Sequence, residues 1–200
     1  KLDYSIQLSK LFYERFINDE DITLFSPHEV PELYEAWGSE EFDELYKTAE
    51  RKTSVSKKKV SAQSLFFDML KERAETGRIY IMNIDHCNTH SSFKDRIYMS
   101  NLCQEITLPT DPIQHIDGEG EIALCILSAI NVGKISYLDE LEGLCDLAVR
   151  ALDEIIDHQK YPVKAAEVST KARRSLGIGY IGLAHYLAKL KLNYNDKQAW

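Results

Sequence analysis

Three side chains that can take part in chemistry occur at every second position of one short run: Asn101, Cys103 and Glu105. In an extended segment, side chains at alternate positions point to the same face. The spacing therefore predicts an amide, a thiol and a carboxylate in a row, with neighbours about 6 to 7 Å apart. The intervening Leu102 and Gln104 are expected to face the other way.

The carboxylate limits the chemistry that is open to the thiol. A nucleophilic cysteine reacts as a thiolate, and a negative neighbour disfavours that form. Cys103 beside Glu105 therefore favours the chemistry of a neutral thiol, such as hydrogen-atom transfer through a thiyl radical. Glu105 would then be a base for a substrate hydroxyl, and Asn101 would hydrogen-bond to that hydroxyl. Two alternatives stay open: an edge strand without function, and a Cys–His hydrolase whose histidine nothing marks.

The four cysteines are predicted to be reduced thiols of a cytosolic protein. The first residues show no basic-then-apolar signal pattern, and a chain of 200 residues does not need a disulfide scaffold. Cys125 lies in the apolar run 122–127, and Cys145 lies on the apolar stripe of a predicted helix. Because unpaired cysteines are commonly buried, Cys145 is expected to be a core residue.

His86, Cys87 and His90 have the spacing of part of a zinc site. Zinc takes three or four protein ligands, and no second Cys-x-x-Cys or His pair stands elsewhere in the sequence. The sequence therefore predicts no metal site. It predicts a polar loop over 85–92, held by local hydrogen bonds from side chains to the backbone.

The glycines Gly177, Gly179 and Gly182 fit the spacing of a dinucleotide-binding fingerprint. That fingerprint needs a buried strand before it and an acidic residue after the next strand, about 20 positions on. Residues 173–176 are too short and charged for such a strand, so close packing of a strand against a helix is the favoured interpretation. A nucleotide-binding oxidoreductase that uses these glycines is kept as the alternative.

Length and composition exclude several classes of protein. Two hundred residues with 44% hydrophobic content suit one domain or a large piece of a bigger one. A net charge of −8 argues against a nucleic-acid-binding surface. No apolar stretch approaches the roughly 20 residues that span a bilayer. Both ends of the sequence are expected to be cuts through a longer chain.

Alternating strand and helix patterns predict an α/β architecture that positions these residues. Gly77 is expected to close one helix from the left-handed conformation. Helices are predicted over 4–17, within 33–46, and over 60–76, 137–158, 164–173 and 183–190; strands over 22–25, 78–84, 121–129 and 176–180; a solvated connection over 47–59; and an extended or loop-like run over 97–108.

Longer strings around these residues resemble a known family, the large catalytic (alpha) subunit of class I aerobic ribonucleotide reductase. The strings are YSIQLSKLFYERF (4–16), KERAETGRIYIMN (71–83), DHCNTH (85–90), MSNLC (99–103), GEIALC (120–125) and RSLGIG (174–179). They reach across nearly the whole chain, and together they are far more specific than any single motif. The likeness is strongest to the enterobacterial and related phage enzymes.

The resemblance implies a ten-stranded α/β barrel of two half-barrels, with a finger loop at its centre. Cys103 matches the cysteine of that loop that becomes a thiyl radical and removes the 3′ hydrogen of a ribonucleoside diphosphate. Glu105 matches the glutamate that takes the 3′-hydroxyl proton, and Asn101 matches an asparagine that binds the sugar. The run Asn101, Leu102, Cys103, Gln104 and Glu105 is the implied substrate-binding segment. Cys125 matches one of two redox-active cysteines, whose partner lies outside this chain.

The resemblance also implies that the chain is one incomplete segment of the catalytic barrel. Residues 1–76 are expected to be mainly helical, 77–135 to hold strands and the finger loop, and 136–200 to hold helices and a short strand. The segment is expected to bind no cofactor itself and to be inactive alone. Its implied partners are the rest of the alpha subunit, a small (beta) subunit whose metal centre supplies the radical, and thioredoxin or glutaredoxin as electron source. The activity would be cytoplasmic and would supply deoxyribonucleotides for DNA replication. A rival hypothesis is a non-catalytic scaffold segment.

Overall fold

The computed structural model describes residues 2–115, 117–118 and 120–199. Helices and short strands alternate along this part of the chain, so the predicted α/β class is confirmed. The strands are β1 (Tyr4–Leu8), β2 (Asp21–Phe25), β3 (Lys57–Ser61), β4 (Ile79–Asn83), β5 (Ile126–Asn131) and β6 (Leu176–Ile181). The helices are α1 (Lys10–Ile17), α2 (Pro31–Glu35), α3 (Phe42–Arg51), α4 (Ala62–Thr76), α5 (Ile84–Thr89), α6 (Glu140–His158), α7 (Lys164–Arg173) and α8 (Leu183–Leu190).

The strands pair two by two. β1 and β4 are parallel, β2 and β3 are antiparallel, and β5 and β6 are parallel. Both parallel pairs are connected through helices, as parallel pairing requires. No sheet among these residues closes on itself.

Contacts divide the chain into two compact units, Lys1–Pro109 and Thr110–Trp200. We call them the N-terminal and the C-terminal unit and describe each by itself. The N-terminal unit holds Cys103, and the C-terminal unit holds Cys125.

Helix α1 joins two apolar clusters of the N-terminal unit. Leu11 packs in one of them and Phe12 in the other. A third cluster consists of Met82, Ile84 and Ile97, and it lies beneath the segment that leads to residue 101. Burial of apolar side chains on both faces of α1 therefore stabilises the framework around the candidate site.

The prediction of one helix over 4–17 is wrong in its first half. Residues 4–8 form β1, which pairs with β4 from Tyr4 opposite Ile79 to Leu8 opposite Asn83. The helix begins only after Ser9, whose hydroxyl accepts a hydrogen bond from the Phe12 N–H at 3.4 Å. The strand that pairs with β1 is β4, which lies much later in the chain. The periodicity of residues 4–17 therefore gives no sign of this pairing.

The prediction of a solvated connection over 47–59 is also wrong at both ends. Helix α3 continues to Arg51, and β3 pairs with β2. Lys57, Lys58 and Lys59 of β3 are all exposed, so the charge that suggested a loop belongs to a strand whose side chains reach solvent on both faces.

Other boundaries differ by a few residues. The predicted polar loop at 85–92 is largely the short helix α5, and β5 runs over 126–131 instead of 121–129. The helix predicted from 60 is confirmed as α4, where Ser61 caps the start and Gly77 closes the end at φ 67°. No described helix is long and apolar enough to cross a membrane.

Cys145 is exposed, so its prediction as a core residue is wrong. Within α6 only Leu152 and Ile156 are buried, while Leu144 and Leu147 of the same helix are exposed. Of the residues that formed the predicted apolar stripe, Leu152 is buried, whereas Ile155 is 45% exposed, so most of the stripe is not covered within the described residues.

An ion pair with little exposure ties α1 to α3 in the N-terminal unit. The Arg15 guanidinium donates from Nη1 and Nη2 to the two carboxylate oxygens of Glu50, at 2.6 and 2.5 Å. Thr23 of β2 donates its hydroxyl to Glu50 Oε1 at 2.6 Å, and Arg15 also donates to the Asp21 carbonyl at 2.7 Å. One bidentate pair therefore connects two helices and the strand between them.

Candidate active site

The run 100–106 is a tight turn. The Gln104 N–H donates to the Asn101 carbonyl at 3.1 Å, and Gln104 has a left-handed φ of 68°. Residues in a tight turn do not alternate between two faces as those of a strand do. The prediction of an extended segment with Asn101, Cys103 and Glu105 on one face is therefore wrong.

Short polar side chains close the base of this turn. The Ser100 hydroxyl donates to the Ile106 carbonyl at 2.6 Å, and Asn101 Oδ1 accepts the Ile106 N–H at 3.1 Å. Serine and asparagine bind nearby backbone groups readily, and this competes with strand formation. The left-handed Gln104 is a strained conformation of the kind that is found at functional sites.

The amide of Asn101 has one end engaged in the turn. A backbone N–H can only donate, so the side-chain atom that it meets must be the oxygen. The Ser100 hydroxyl oxygen, whose single hydrogen is donated to the Ile106 carbonyl, lies 3.1 Å from the same Asn101 oxygen. The two N–H groups of the amide make no hydrogen bond within the described residues, so Asn101 can offer a donor to a ligand.

The turn presents the candidate residues to solvent. Asn101, Leu102, Cys103 and Glu105 are exposed, and Gln104 is half-buried. The structure thus holds the amide, thiol and carboxylate within one exposed turn. They do not form a row on one face of a strand. Their catalytic roles stay predictions.

A neighbour of Cys103 that the sequence did not suggest is Tyr80, on β4. A hydrogen bond with the Cys103 side chain, together with the negative charge of that side chain when it is ionised, raises the pKa of the Tyr80 phenol. No sequence signal pairs these two residues, because a strand and a distant turn supply them.

The segment before the turn is anchored by Asn88 of α5. Its side chain donates to the Ile97 carbonyl at 2.9 Å and accepts the Ile97 N–H at 2.8 Å. Ile97 is itself buried against Ile84 and Met82. Three residues before the turn, the chain is therefore fixed both by hydrogen bonds and by apolar packing.

Cys125 lies in the C-terminal unit, directly before β5, and is half-buried. In the parallel pair of β5 with β6, Leu127 lies opposite Gly177. A Cβ atom built on Gly177 would lie 3.2 Å from the Cys125 sulfur. The predicted redox-active thiol is therefore packed against a backbone position that carries no side chain.

Comparison with known proteins decides the family. The family described as ribonucleotide reductase, barrel domain, matches residues 1–200. The chain belongs to the ribonucleotide reductase barrel-domain family. The resemblance seen in the sequence strings is thereby confirmed, and the α/β fold class is that of this family.

Three relatives show how far the similarity reaches. The alpha subunit of ribonucleoside-diphosphate reductase from Haemophilus influenzae is 55% identical over 204 residues, which cover 99% of this chain and 27% of the relative. The alpha subunit of reductase 1 from Escherichia coli K12 is 53% identical over the same shares. The alpha subunit of phage T4 is 41% identical, over 98% of this chain and 26% of the relative. The chain spans about a quarter of the length of these relatives.

Within this reductase domain, His86, Cys87 and His90 lie on or next to α5, not in the predicted loop. The rings of His86 and His90 are 6.1 Å apart, and burial raises the pKa of the Cys87 thiol. No group of three or more metal-ligating side chains occurs in the described ranges.

The glycine motif lies in a strand of the reductase domain. Gly177 and Gly179 are inside β6, and Gly182 begins α8 with φ 77°. A Cβ atom on Gly182 would lie 2.7 Å from Asn131 Oδ1. A dinucleotide fingerprint places its glycines in the turn after the strand, so this geometry supports close packing over nucleotide binding.

We expect the pKa of Tyr80 to depend on Cys103. Replacing Cys103 with alanine removes both the hydrogen bond and the charge, so the pKa of Tyr80 should fall toward the ordinary value of about 10. Fluorine NMR of the chain labelled with 3-fluorotyrosine measures this titration. The Tyr80 resonance is identified as the one that is lost in the Tyr80→Phe variant. Cys145→Ala, on the exposed face of α6, is the matched control and should leave the titration unchanged. A Tyr80 signal that titrates alike with and without Cys103 would contradict the contact.

Proposed function

We propose that the chain is the part of a ribonucleotide reductase alpha subunit that carries the radical cysteine, Cys103. The activity of the whole subunit would be the reduction of ribonucleoside diphosphates to 2′-deoxyribonucleoside diphosphates. One observation carries the proposal: an exposed turn presents a thiol together with a carboxylate and an amide that can donate. The names of the relatives, which match 98 to 99% of this chain, support the substrate class.

In the proposed first step, Cys103 first gives up a hydrogen atom to the small subunit and then takes one from the substrate. Its S–H bond loses a hydrogen atom to the radical system of the small subunit, which leaves a thiyl radical. The thiyl radical then takes the 3′ hydrogen of the ribose, so a C–H bond breaks and an S–H bond forms. Glu105 accepts the 3′-hydroxyl proton. Asn101 donates an amide N–H to an oxygen of the sugar.

In the proposed second step, Cys125 and a partner cysteine outside this chain supply the electrons. Two thiols become one disulfide, and their two electrons and two protons pass to the substrate as the 2′ oxygen leaves as water. Cys103 then returns a hydrogen atom to C3′, which restores the thiyl radical, and Glu105 returns the proton to the 3′ oxygen. Thioredoxin or glutaredoxin then reduces the disulfide by thiol exchange. The metal centre of the small (beta) subunit supplies the radical, and this chain contributes the thiols.

The proposal includes an assembly and a setting. The rest of the alpha subunit and the small subunit are the protein partners, and the cytoplasm is the compartment in which thiols stay reduced. The product would serve DNA synthesis.

Complementation tests the proposal against a non-catalytic scaffold. The chain is mixed with the remaining segments of an alpha subunit and with the small subunit, and deoxyribonucleotide is measured with a labelled diphosphate substrate. We expect activity with the wild-type chain and none with its Cys103→Ser variant. Recovered activity that does not need Cys103 would indicate a scaffold. Tight dinucleotide binding that Gly179→Ala weakens would instead favour the nucleotide-binding oxidoreductase.

Cys125→Ser in a complete alpha subunit should separate the two steps. We expect loss of thioredoxin-dependent turnover, because serine cannot form the disulfide, while exchange of the 3′ hydrogen of the substrate persists. Product formation with thioredoxin and release of tritium from 3′-labelled substrate measure the two steps. Cys87→Ser is the control thiol, and it should keep both activities. Undiminished turnover of Cys125→Ser with thioredoxin would refute the redox role.

A further inference from the structure

Two glycines on one face of β6 differ in their surroundings. Gly177 and Gly179 are two residues apart in the strand, so their missing side chains would point the same way. A Cβ atom on Gly179 would meet nothing within 4 Å. A Cβ atom on Gly177 would lie 2.5 Å from Leu127 Cδ2 and 3.2 Å from Cys125 Sγ. The crowding at Gly177 therefore involves the thiol that is proposed to be redox-active.

Backbone conformation does not require glycine at either position. Neither residue is among the glycines with a left-handed φ, which are Gly38, Gly77, Gly120 and Gly182. Alanine is therefore compatible with the backbone at both sites. What distinguishes Gly177 from Gly179 is the space that its missing side chain leaves.

The two contacts at Gly177 differ in how easily they can be relieved. Leu127 is 70% exposed, so its terminal methyl group can rotate away into solvent. Cys125 has a single short side-chain torsion and lies directly before β5, whose first residue, Ile126, pairs with Leu176 of β6. A methyl group at position 177 would therefore displace the sulfur.

Disulfide formation is sensitive to such a displacement. The bond requires a sulfur–sulfur distance near 2.0 Å and a torsion angle near 90°. A sulfur moved by a few tenths of an ångström meets its partner in a strained geometry. We propose that Gly177 is a positioning residue for Cys125, which keeps open the space that the thiol needs to form its disulfide. This inference rests on the proposed function.

The redox equilibrium of Cys125 in the complete alpha subunit tests the inference. The protein is equilibrated with mixtures of reduced and oxidised dithiothreitol, and the disulfide fraction is read by alkylation and mass spectrometry. For Gly177→Ala we expect the equilibrium to shift toward the dithiol by roughly three- to tenfold, which is about 15 to 30 mV. Gly179→Ala is the matched control and should stay within about twofold of wild type. The KM for substrate should not change in either variant.

The double variant Leu127→Ala/Gly177→Ala separates the two contacts. Removing the leucine relieves the 2.5 Å clash but leaves the methyl group against the sulfur, so the shift should persist relative to Leu127→Ala alone. If Gly177→Ala alone fails to fold, the comparison of the double variant with Leu127→Ala still tests the inference. Equal potentials for Gly177→Ala and Gly179→Ala, or a shift that vanishes in the double variant, would overturn the inference. A wild-type subunit that forms no disulfide at Cys125 would overturn the proposed function, and this inference with it.

Discussion

Replacing Cys103 with serine in a complete alpha subunit is expected to reduce deoxyribonucleotide formation by at least about a thousandfold, or roughly 4 kcal/mol of transition-state stabilisation. Serine keeps the shape of the side chain, but its O–H bond is stronger than the S–H bond, so the oxygen cannot replace sulfur in hydrogen-atom transfer. The turn itself is closed by Ser100, Asn101 and Ile106, and by the bond from the Gln104 N–H to the Asn101 carbonyl. None of these bonds uses the Cys103 side chain, so the loss should not come from misfolding.

Labelled product from a diphosphate substrate, with the small subunit and thioredoxin present, measures this effect. Circular dichroism and the substrate Kd establish that the variant is folded and binds. Cys145→Ser changes an exposed thiol on α6 and should alter the rate by no more than about twofold. Full activity of Cys103→Ser would remove Cys103 from the mechanism, even though the family assignment stands.

Replacing Glu50 with alanine is expected to lower the free energy of unfolding of the N-terminal unit by about 3 kcal/mol. The side chains of Arg15 and Glu50 are only 12% and 16% exposed. The substitution leaves a guanidinium with little access to water and without its carboxylate. It also removes the acceptor for the Thr23 hydroxyl. Urea unfolding, followed by fluorescence, measures the change.

A matched control lies on the same helix. Glu44 of α3 pairs with Lys47 at 3.1 Å, but its side chain is 78% exposed. Glu44→Ala should therefore cost no more than about 0.5 kcal/mol. Equal costs at positions 44 and 50 would mean that burial of the Arg15 pair contributes nothing to stability.

The same carboxylate makes stability depend on pH. Burial alone would raise the pKa of Glu50, but hydrogen bonds from Arg15 and Thr23 outweigh it and hold the pKa below its ordinary value. A carboxyl group whose pKa is lowered by folding stabilises the protein fully above its unfolded pKa of about 4.3, and this stabilisation is lost as the pH falls through the folded pKa. Glu50→Gln should therefore flatten the acid limb of a plot of unfolding free energy against pH. An acid limb that does not change would contradict the assignment.

Local signals predicted the helices well where capping and periodicity agree. Helix α4 is bounded by the Ser61 cap and by the left-handed Gly77, and both signals are visible in the sequence. Helix α7 matches its predicted bounds. Each of these signals acts within a few residues, so it does not depend on the rest of the fold.

The failures occur where a distant partner or a competing hydrogen bond decides the conformation. Residues 4–8 have helix-compatible spacing, but β4 gives them a parallel partner. The run from Asn101 to Glu105 alternates as a strand would, but no strand of the described residues pairs with it. Instead the Ser100 hydroxyl donates to the Ile106 carbonyl, the Ile106 N–H donates to Asn101 Oδ1, and these bonds fold the run into a turn. Cys145 lies on an apolar stripe, but in this part of α6 no described residue packs over it, and only Leu152 and Ile156 of the helix are buried.

The sequence by itself determined the family and the chemical set of the candidate site: an amide, a thiol and a carboxylate around Cys103, with a second thiol at Cys125. Residue types and extended strings carry that information directly. Tertiary structure decided how the set is presented. It made the run an exposed turn, left the Asn101 amide as a donor, brought Tyr80 to Cys103, and placed Gly177 against Cys125. The physical reason is that the contacts of Tyr80 with Cys103 and of Gly177 with Cys125 join residues far apart in the chain. Their approach depends on strand pairing and on packing.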